Sequence, residues 1–439
     1  MHAGRRNTLR SLAGTLALGA GSAVPWLAHA APTLLPATRQ RRVVVVGGGW
    51  GGLAAARQLR ELAPEIEVVL LERSPAFWSC PLSNRWLADR IDGRLLAHDY
   101  TVAAKAFGYT FIRTEVTAID RDQRQVITRD GTLTYDWLVL AVGIRDDFTP
   151  WFGDDPRPAA ESRQHFGSAW QAAEQQALKA RLERFSGGDL LMTVPTMPYR
   201  CPPAPYERAC MIASLIRRRN LKARVILLDP NPMMQAFNRV FSGQYREQIT
   251  YVPQARVKTV DPFRKTVTTD FDTFRFDEAI LMPPQQAGDL AWQAGLIGRK
   301  TTGDASSQPS GWAAQDAVSY RSLTDPRIFL VGDMVDRASQ LFGHYPKSGH
   351  MAASQGRIAA THIVAEARGK EAQRQLPEST CFVLAGADPM EMMRIEARYR
   401  FRGDGLIMQT VQQHYDAQPR DEDLAWAKGM FAALLAAPA

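Results

Sequence analysis

Six short apolar runs stand out along the chain, each ending in an acid, a glycine or a proline-rich turn. They are "RVVVV" to Val46, "IEVVLLE" to Glu72, "DWLVLAVG" to Gly143, "DLLMTV" to Val194, "ARVILLD" to Asp229 and "RIFLVGD" to Asp333. Runs this apolar, without alternation, predict strands buried on both faces, as in parallel sheets. "LAAARQLREL" follows the first run, "YERACMIASLIRRR" the fourth and "GHMAASQGRIAATHIVAEA" the sixth, all with helical periodicity. Strand, turn, helix and strand thus occur in that order twice. The pattern predicts an α/β chain with two Rossmann-like dinucleotide-binding domains.

The turns differ between the two units. After Val46 the sequence reads GGGWGG, so that Gly47, Gly49 and Gly52 fit G-x-G-x-x-G around Trp50, and Glu72 lies about twenty residues beyond Gly52. Such glycines allow a tight turn, close approach of a pyrophosphate and close helix–strand packing, while the acid accepts from a ribose hydroxyl. The helix N-terminus adds free N–H groups for phosphate. Two later segments, the strand running into Gly143 and the strand ending at Gly332-Asp333, resemble those of two-dinucleotide-domain flavoproteins, and that resemblance implies FAD rather than NAD in this site, with Asp333 on the ribityl chain. Small residues at Ser348, Gly349 and Ala352 let the third helix approach a ligand closely; the resemblance implies that it points at the flavin, where its dipole would favour the anionic reduced ring.

The second turn, between Val194 and Ala204, holds no glycine. Pro195, Pro198, Pro202, Pro203 and Pro205 remove backbone donors and stiffen it. A pyrophosphate needs both donors and close approach, so no NAD(P)H site is expected there.

Composition changes the picture only at the N-terminus. Hydrophobic residues make up 45% and charged residues 22%, ordinary values for a globular protein. Arg5-Arg6, a weakly apolar stretch and Ala28-His29-Ala30 read as a twin-arginine signal peptide over residues 1–30. Cleavage there takes three arginines and no acid from the formal charge of +8, leaving +5. The destination is then the periplasm, where disulfides persist. No aromatic-interleaved basic stripe suggests nucleic acid, and "IRRRNLKAR" reads as the solvated end of a helix. Cys80, Cys201, Cys210 and Cys381 have neither zinc-site spacing nor a C-x-x-C-H haem motif, and the eight histidines suggest no metal site.

"FWSCPLSN", "YRCPPAPYERA", "MPPQQAG", "PKSG" and "STC", in this order from Phe77 to Cys381, carry a resemblance. The chain resembles the flavoprotein subunit of flavocytochrome c sulfide dehydrogenase, within the wider sulfide:quinone reductase and glutathione reductase-like group. The resemblance implies a glutathione reductase-like fold with a C-terminal α+β domain. The expected division is FAD-binding residues 31–155 and 285–370, a second nucleotide-like domain at 156–284 and a C-terminal domain at 371–439. It also implies FAD bonded covalently through Cys80, and a redox-active disulfide between Cys201 and Cys381. Trp50, Val116, Lys347 and Ser348 complete the expected cofactor contacts. From the residues alone, the alternatives are that Cys80 is a free buried thiol with FAD bound noncovalently, and Cys201–Cys381 a structural staple. Cys210 has no family role and reads as a small buried hydrophobe.

The implied chemistry is attack of sulfide on the disulfide, with electrons passing through flavin to haem on a separate cytochrome c subunit. Glu207, six residues past Cys201, is a candidate acid/base, its carboxyl pKa raised by a buried pocket. A first-turn helix glutamate is the bland alternative. The chain's end, "EDLAWAKGMFAALLAAPA", departs from the family's aromatic, polar finish, which leaves the partner open. That helix is expected to pack on the core, with membrane contact, as in a quinone reductase, as the alternative. A flavin-bearing accessory subunit without turnover is the third reading.

Overall fold

A computed structural model describes residues 32–301 and 307–437; the expected signal peptide at 1–30 lies outside them. The chain opens with β1 (Arg42–Val46), α1 (Trp50–Leu62), β2 (Glu67–Glu72), β3 (Thr110–Arg113) and β4 (Trp137–Leu140). In β1 every residue is buried, which is why it carries valine on both faces. A three-stranded antiparallel meander, Val116–Asp120 with Gln125–Thr128 and Thr132–Thr134, lies between β3 and β4.

The second unit follows with β5 (Gly188–Thr193), α2 (Ala204–Arg218), β6 (Ala223–Asp229), β7 (Ile249–Pro253) and β8 (Glu278–Ile280). Its parallel sheet runs β7-β6-β5-β8. It has its own meander, Val257–Asp261, Thr266–Thr269 and Thr273–Arg275, ahead of its last strand. Arg217, Arg218 and Arg219 lie exposed at the end of α2, as the basic cluster predicts.

The chain then returns to the first unit. β9 (Ile328–Leu330) pairs with β4 and completes a five-stranded parallel sheet in the order β9-β4-β1-β2-β3. α3 (Gly349–Ala367) crosses α1 so tightly that a Cβ on Gly356 would lie 2.2 Å from the Gly51 carbonyl oxygen. These are the two Rossmann-like units that the apolar runs predict.

A C-terminal antiparallel sheet of β10 (Ser379–Ala387), β11 (Met390–Phe401) and β12 (Ile407–Asp416) follows, then α4 (Glu422–Leu435). β11 and β12 form the hairpin foreshadowed by "RYRFRGDG". α4 buries Ala427, Met430, Phe431, Leu434 and Leu435, and the Phe431 ring stacks on Trp50 at 5.9 Å. The departing C-terminal end is therefore packed on the first unit. Among the described residues no helix is long and apolar enough to cross a membrane.

Candidate functional site

The two units and the C-terminal sheet enclose a cavity of ≈ 1220 Å³. That exceeds the roughly 300–1,000 Å³ of an ordinary small-molecule site, as an elongated dinucleotide requires. Its wall includes Glu72, Arg73 and Val116 from the first unit together with Cys80, Cys201, Glu207 and Cys381. Gly47, Gly49, Trp50, Gly143, Gly332, Asp333, Lys347 and Ser348 also line it.

The glycine turn divides its labour. Gly47 has φ +102°, and a Cβ there would sit 2.5 Å from the Ala141 carbonyl oxygen. Gly52 is not on the wall: its Cβ would lie 1.9 Å from the Gly47 carbonyl oxygen, so it serves helix–strand packing. At Gly49, the N-cap of α1, a Cβ would meet nothing within 4 Å and no side chain caps the helix. The first turn of α1 thus faces open space. Glu72 is aimed by N–H donors, Gly48 to Oε2 at 2.7 Å and Ser74 to Oε1 at 2.8 Å.

The second turn is closed by its own bonds. Met197 N–H donates to Asn231 Oδ1 (3.0 Å), Arg200 N–H to Gln285 Oε1 (2.8 Å) and Cys201 N–H to the Lys347 carbonyl (2.7 Å). Asp229, in the ribose-binding position at the end of β6, is fully buried. It accepts from the hydroxyls of Tyr206 (2.5 Å) and Tyr251 (3.0 Å). Tyr206 in turn stacks on Phe237, which leaves the Asp229 carboxylate sealed under aromatic side chains.

This turn instead carries Cys201, held at φ +48°, into the cavity. Cys381 arrives on β10 from the far end of the chain. The expected Cys201–Cys381 disulfide is not formed in this structure, where all four cysteines are unbonded, and burial pushes each thiol up. Cys381 is the charge that adds most to this effect at Cys201, while hydroxyls of Ser348 and Ser379 offset it at Cys381. Cys80 follows the short strand Phe77–Trp78, its Sγ 3.5 Å from the Trp170 carbonyl. Cys210 is fully buried inside α2 and off the cavity wall.

Glu207 lies in the first turn of α2, where the bland reading places it, and also on the cavity wall. Burial pushes its pKa up to about 7, against hydrogen bonds from Leu384 N–H (2.9 Å) and Asn84 Nδ2 (2.6 Å). The carboxyl thus changes charge near neutrality, as an acid/base group should.

Asp333 has a partner the sequence did not announce: Arg200 Nε donates to its Oδ2 at 2.6 Å, both side chains being largely buried. Lys347, also on the cavity wall, is held by carbonyls. Its Nζ donates to the carbonyls of Asp333 (2.7 Å) and Val335 (3.0 Å) and sits 3.6 Å from the Trp312 ring centre. Burial lowers it to about 7. Ser348 caps α3, accepting from Met351 N–H at 3.3 Å. The only sequence signal for Arg200 is its place beside Cys201.

Two family profiles match the chain. Residues 41–185 match that described as pyridine nucleotide-disulphide oxidoreductase. Residues 175–283 match the central part of the sulfide dehydrogenase [flavocytochrome c] flavoprotein chain. The flavoprotein chain of that name from Chlorobaculum thiosulfatiphilum is 57% identical over 44 residues, covering 92% of its sequence and 10% of this chain. The chain belongs to the flavocytochrome c sulfide dehydrogenase flavoprotein family.

A sulfide-quinone reductase from Aquifex aeolicus is 25% identical over 234 residues, 51% of this chain and 53% of that protein, so the match spans about half its length. The solved sulfide:quinone oxidoreductase of Aquifex aeolicus superimposes with a TM-score of 0.68 at 20% identity, covering 89% of this chain and 90% of the other, which shows a shared fold. Membership of this flavoprotein family makes FAD the cofactor, and the cavity fits it. The open Gly49 cap suits a pyrophosphate, Glu72 is oriented for a ribose, and Trp170 Nε1 and Asp146 Oδ1 are buried on the wall without a partner.

Proposed function

We propose that the protein is an FAD-dependent sulfide dehydrogenase acting at a Cys201–Cys381 disulfide and delivering electrons to a cytochrome c on a separate chain. One observation carries the reading: two cysteines from segments 180 residues apart in sequence line one cavity wall with an acid poised near neutrality. In this reading HS⁻ attacks one sulfur of the disulfide. A sulfur–sulfur bond to the substrate forms, the protein disulfide breaks, and its electron pair leaves on the other cysteine as thiolate. Glu207, as carboxylate, takes the proton of the resulting persulfide. Re-forming the Cys201–Cys381 disulfide from the thiolate and the deprotonated persulfide releases the substrate sulfur at the zero-valent level and two electrons, for which FAD would be the acceptor when bound. Cys80 is the residue that would tether the cofactor, and the first turns of α1 and α3 would hold its pyrophosphate and ring. The division into FAD-binding segments 31–155 and 285–370, a nucleotide-free middle domain and a C-terminal domain belongs to the same proposal.

Export to the periplasm by the twin-arginine route belongs to this reading, because a folded flavoprotein needs that pathway and a cytochrome c is met there. α4, docked on the first unit, favours a soluble acceptor over a quinone. Native purification tests the acceptor: a cytochrome c that copurifies supports the proposal. Flavoprotein that stays with membranes at high salt would favour quinone. For the tether, Cys80→Ala should leave FAD extractable by acid, and flavin that stays attached would refute the assignment.

A further inference from the structure

Glu207 does not stand alone in the wall. Asn84 and Arg208, 4% and 1% exposed, form a chain of bonds behind it. Arg208 Nε donates to Asn84 Oδ1 at 3.0 Å, and Asn84 Nδ2 donates to Glu207 Oε2 at 2.6 Å. A guanidinium has only donors, so the amide atom facing it must be the oxygen, and the amide nitrogen must face Glu207. The amide cannot turn over without putting two donors together on one side and two acceptors on the other. Arg208 is itself pinned, with Nη1 donating to the Ser168 carbonyl at 2.8 Å and Nη2 to the Ala169 carbonyl at 3.2 Å. Its guanidinium lies 5.2 Å from the centre of the Trp170 ring.

A buried guanidinium that meets carbonyls and an amide is costly as a stabilising device. Here it fixes a direction. We propose that Asn84, locked by Arg208, is the positioning residue that aims Glu207 as the acid–base group of the cysteine pair. The proposal rests on the reading of Cys201 and Cys381 as the reacting pair. With Leu384 N–H on Oε1 and Asn84 on Oε2, both oxygens accept a donor in the carboxylate form. The arrangement therefore holds the base ready against the burial that favours the acid. Other charges face the same carboxyl. Arg208 on α2 lowers it, and Asp423 on α4 raises it. Cys201, Cys381 and Cys210 are each raised by it. Arg85 is turned away into Asp423 and Asp421.

The test follows the Glu207 carboxyl by infrared difference spectroscopy of the flavin-loaded protein across pH, with Glu207→Gln identifying its band. Asn84→Ala removes a hydrogen bond to the charged form, so the midpoint should rise by about 1–2 pH units. The near-isosteric Asn84→Asp should raise it as well, because two adjacent carboxyls share a proton, and it decides the matter if the alanine variant loses flavin. The acid limb of sulfide-dependent flavin reduction should move with the midpoint. An unchanged midpoint in a flavin-loaded variant would overturn the proposal. A wild-type protein that sulfide does not reduce, with the midpoint still shifted, would instead count against the sulfide reading and leave Asn84 as the group that positions Glu207.

Discussion

The turn after β1 and the turn after β5 occupy the same place in two similar folds, yet they are built oppositely. In the first, glycines bring the backbone close, and the N-terminus of α1 opens onto the cavity with no side chain capping it. In the second, prolines remove donors, the N–H groups of Met197, Arg200 and Cys201 are bonded within the protein, and the acid of β6 is sealed under tyrosines. The scaffold is shared, but one turn is shaped to receive a cofactor and the other to present a thiol. What a dinucleotide fold binds is decided by where its turn's donors point.

The contrast can be broken at each turn. Cys201→Ser and Cys381→Ser should each abolish sulfide-dependent flavin reduction, a loss of at least about 10³-fold on the scale of removing a catalytic nucleophile, while bound FAD remains. Rapid reduction in either variant would detach the second turn from the chemistry. In the first turn, Gly52→Ala drives a Cβ into the Gly47 carbonyl and should yield protein with little flavin, read from the ratio of flavin to protein absorbance.

Glu207→Gln should slow flavin reduction by about 10²–10⁴-fold. It should also alter stability. The acid's pKa is raised in the fold from 4.5 to about 7, so its contribution is fully present below 4.5 and is lost as pH rises through 7. The glutamine stays neutral, and above pH 7 the variant should gain up to about 3 kcal/mol over the parent in denaturant unfolding. Equal pH dependence in the two proteins would contradict the buried acid. The smallest effect is expected at Cys210. Cys210→Ala should cost about 1 kcal/mol, as a small trimming of the core, and leave sulfide oxidation intact.

Much of this site was legible because its parts are contiguous motifs. The glycine turn, Glu72, the Gly332-Asp333 end and the cysteine-bearing stretches each carry local rules of spacing or local likeness to a family. What escaped are bonds between distant segments. Arg200 meets Asp333 across 133 residues and Asn84 meets Glu207 across 123, and no periodicity tells which polar side chains will share a cavity wall. Gly52 does what its motif position asks, packing α1 against the Gly47 carbonyl, whereas the bonds of Lys347 to carbonyls under Trp312 have no signal in the sequence.

The most direct test sets the two possible electron donors against each other. The oxidised, flavin-loaded protein is mixed anaerobically with sulfide or with NADH, and the flavin absorbance is followed. The account predicts bleaching by sulfide and none by NADH. Bleaching by NADH with no response to sulfide would contradict it.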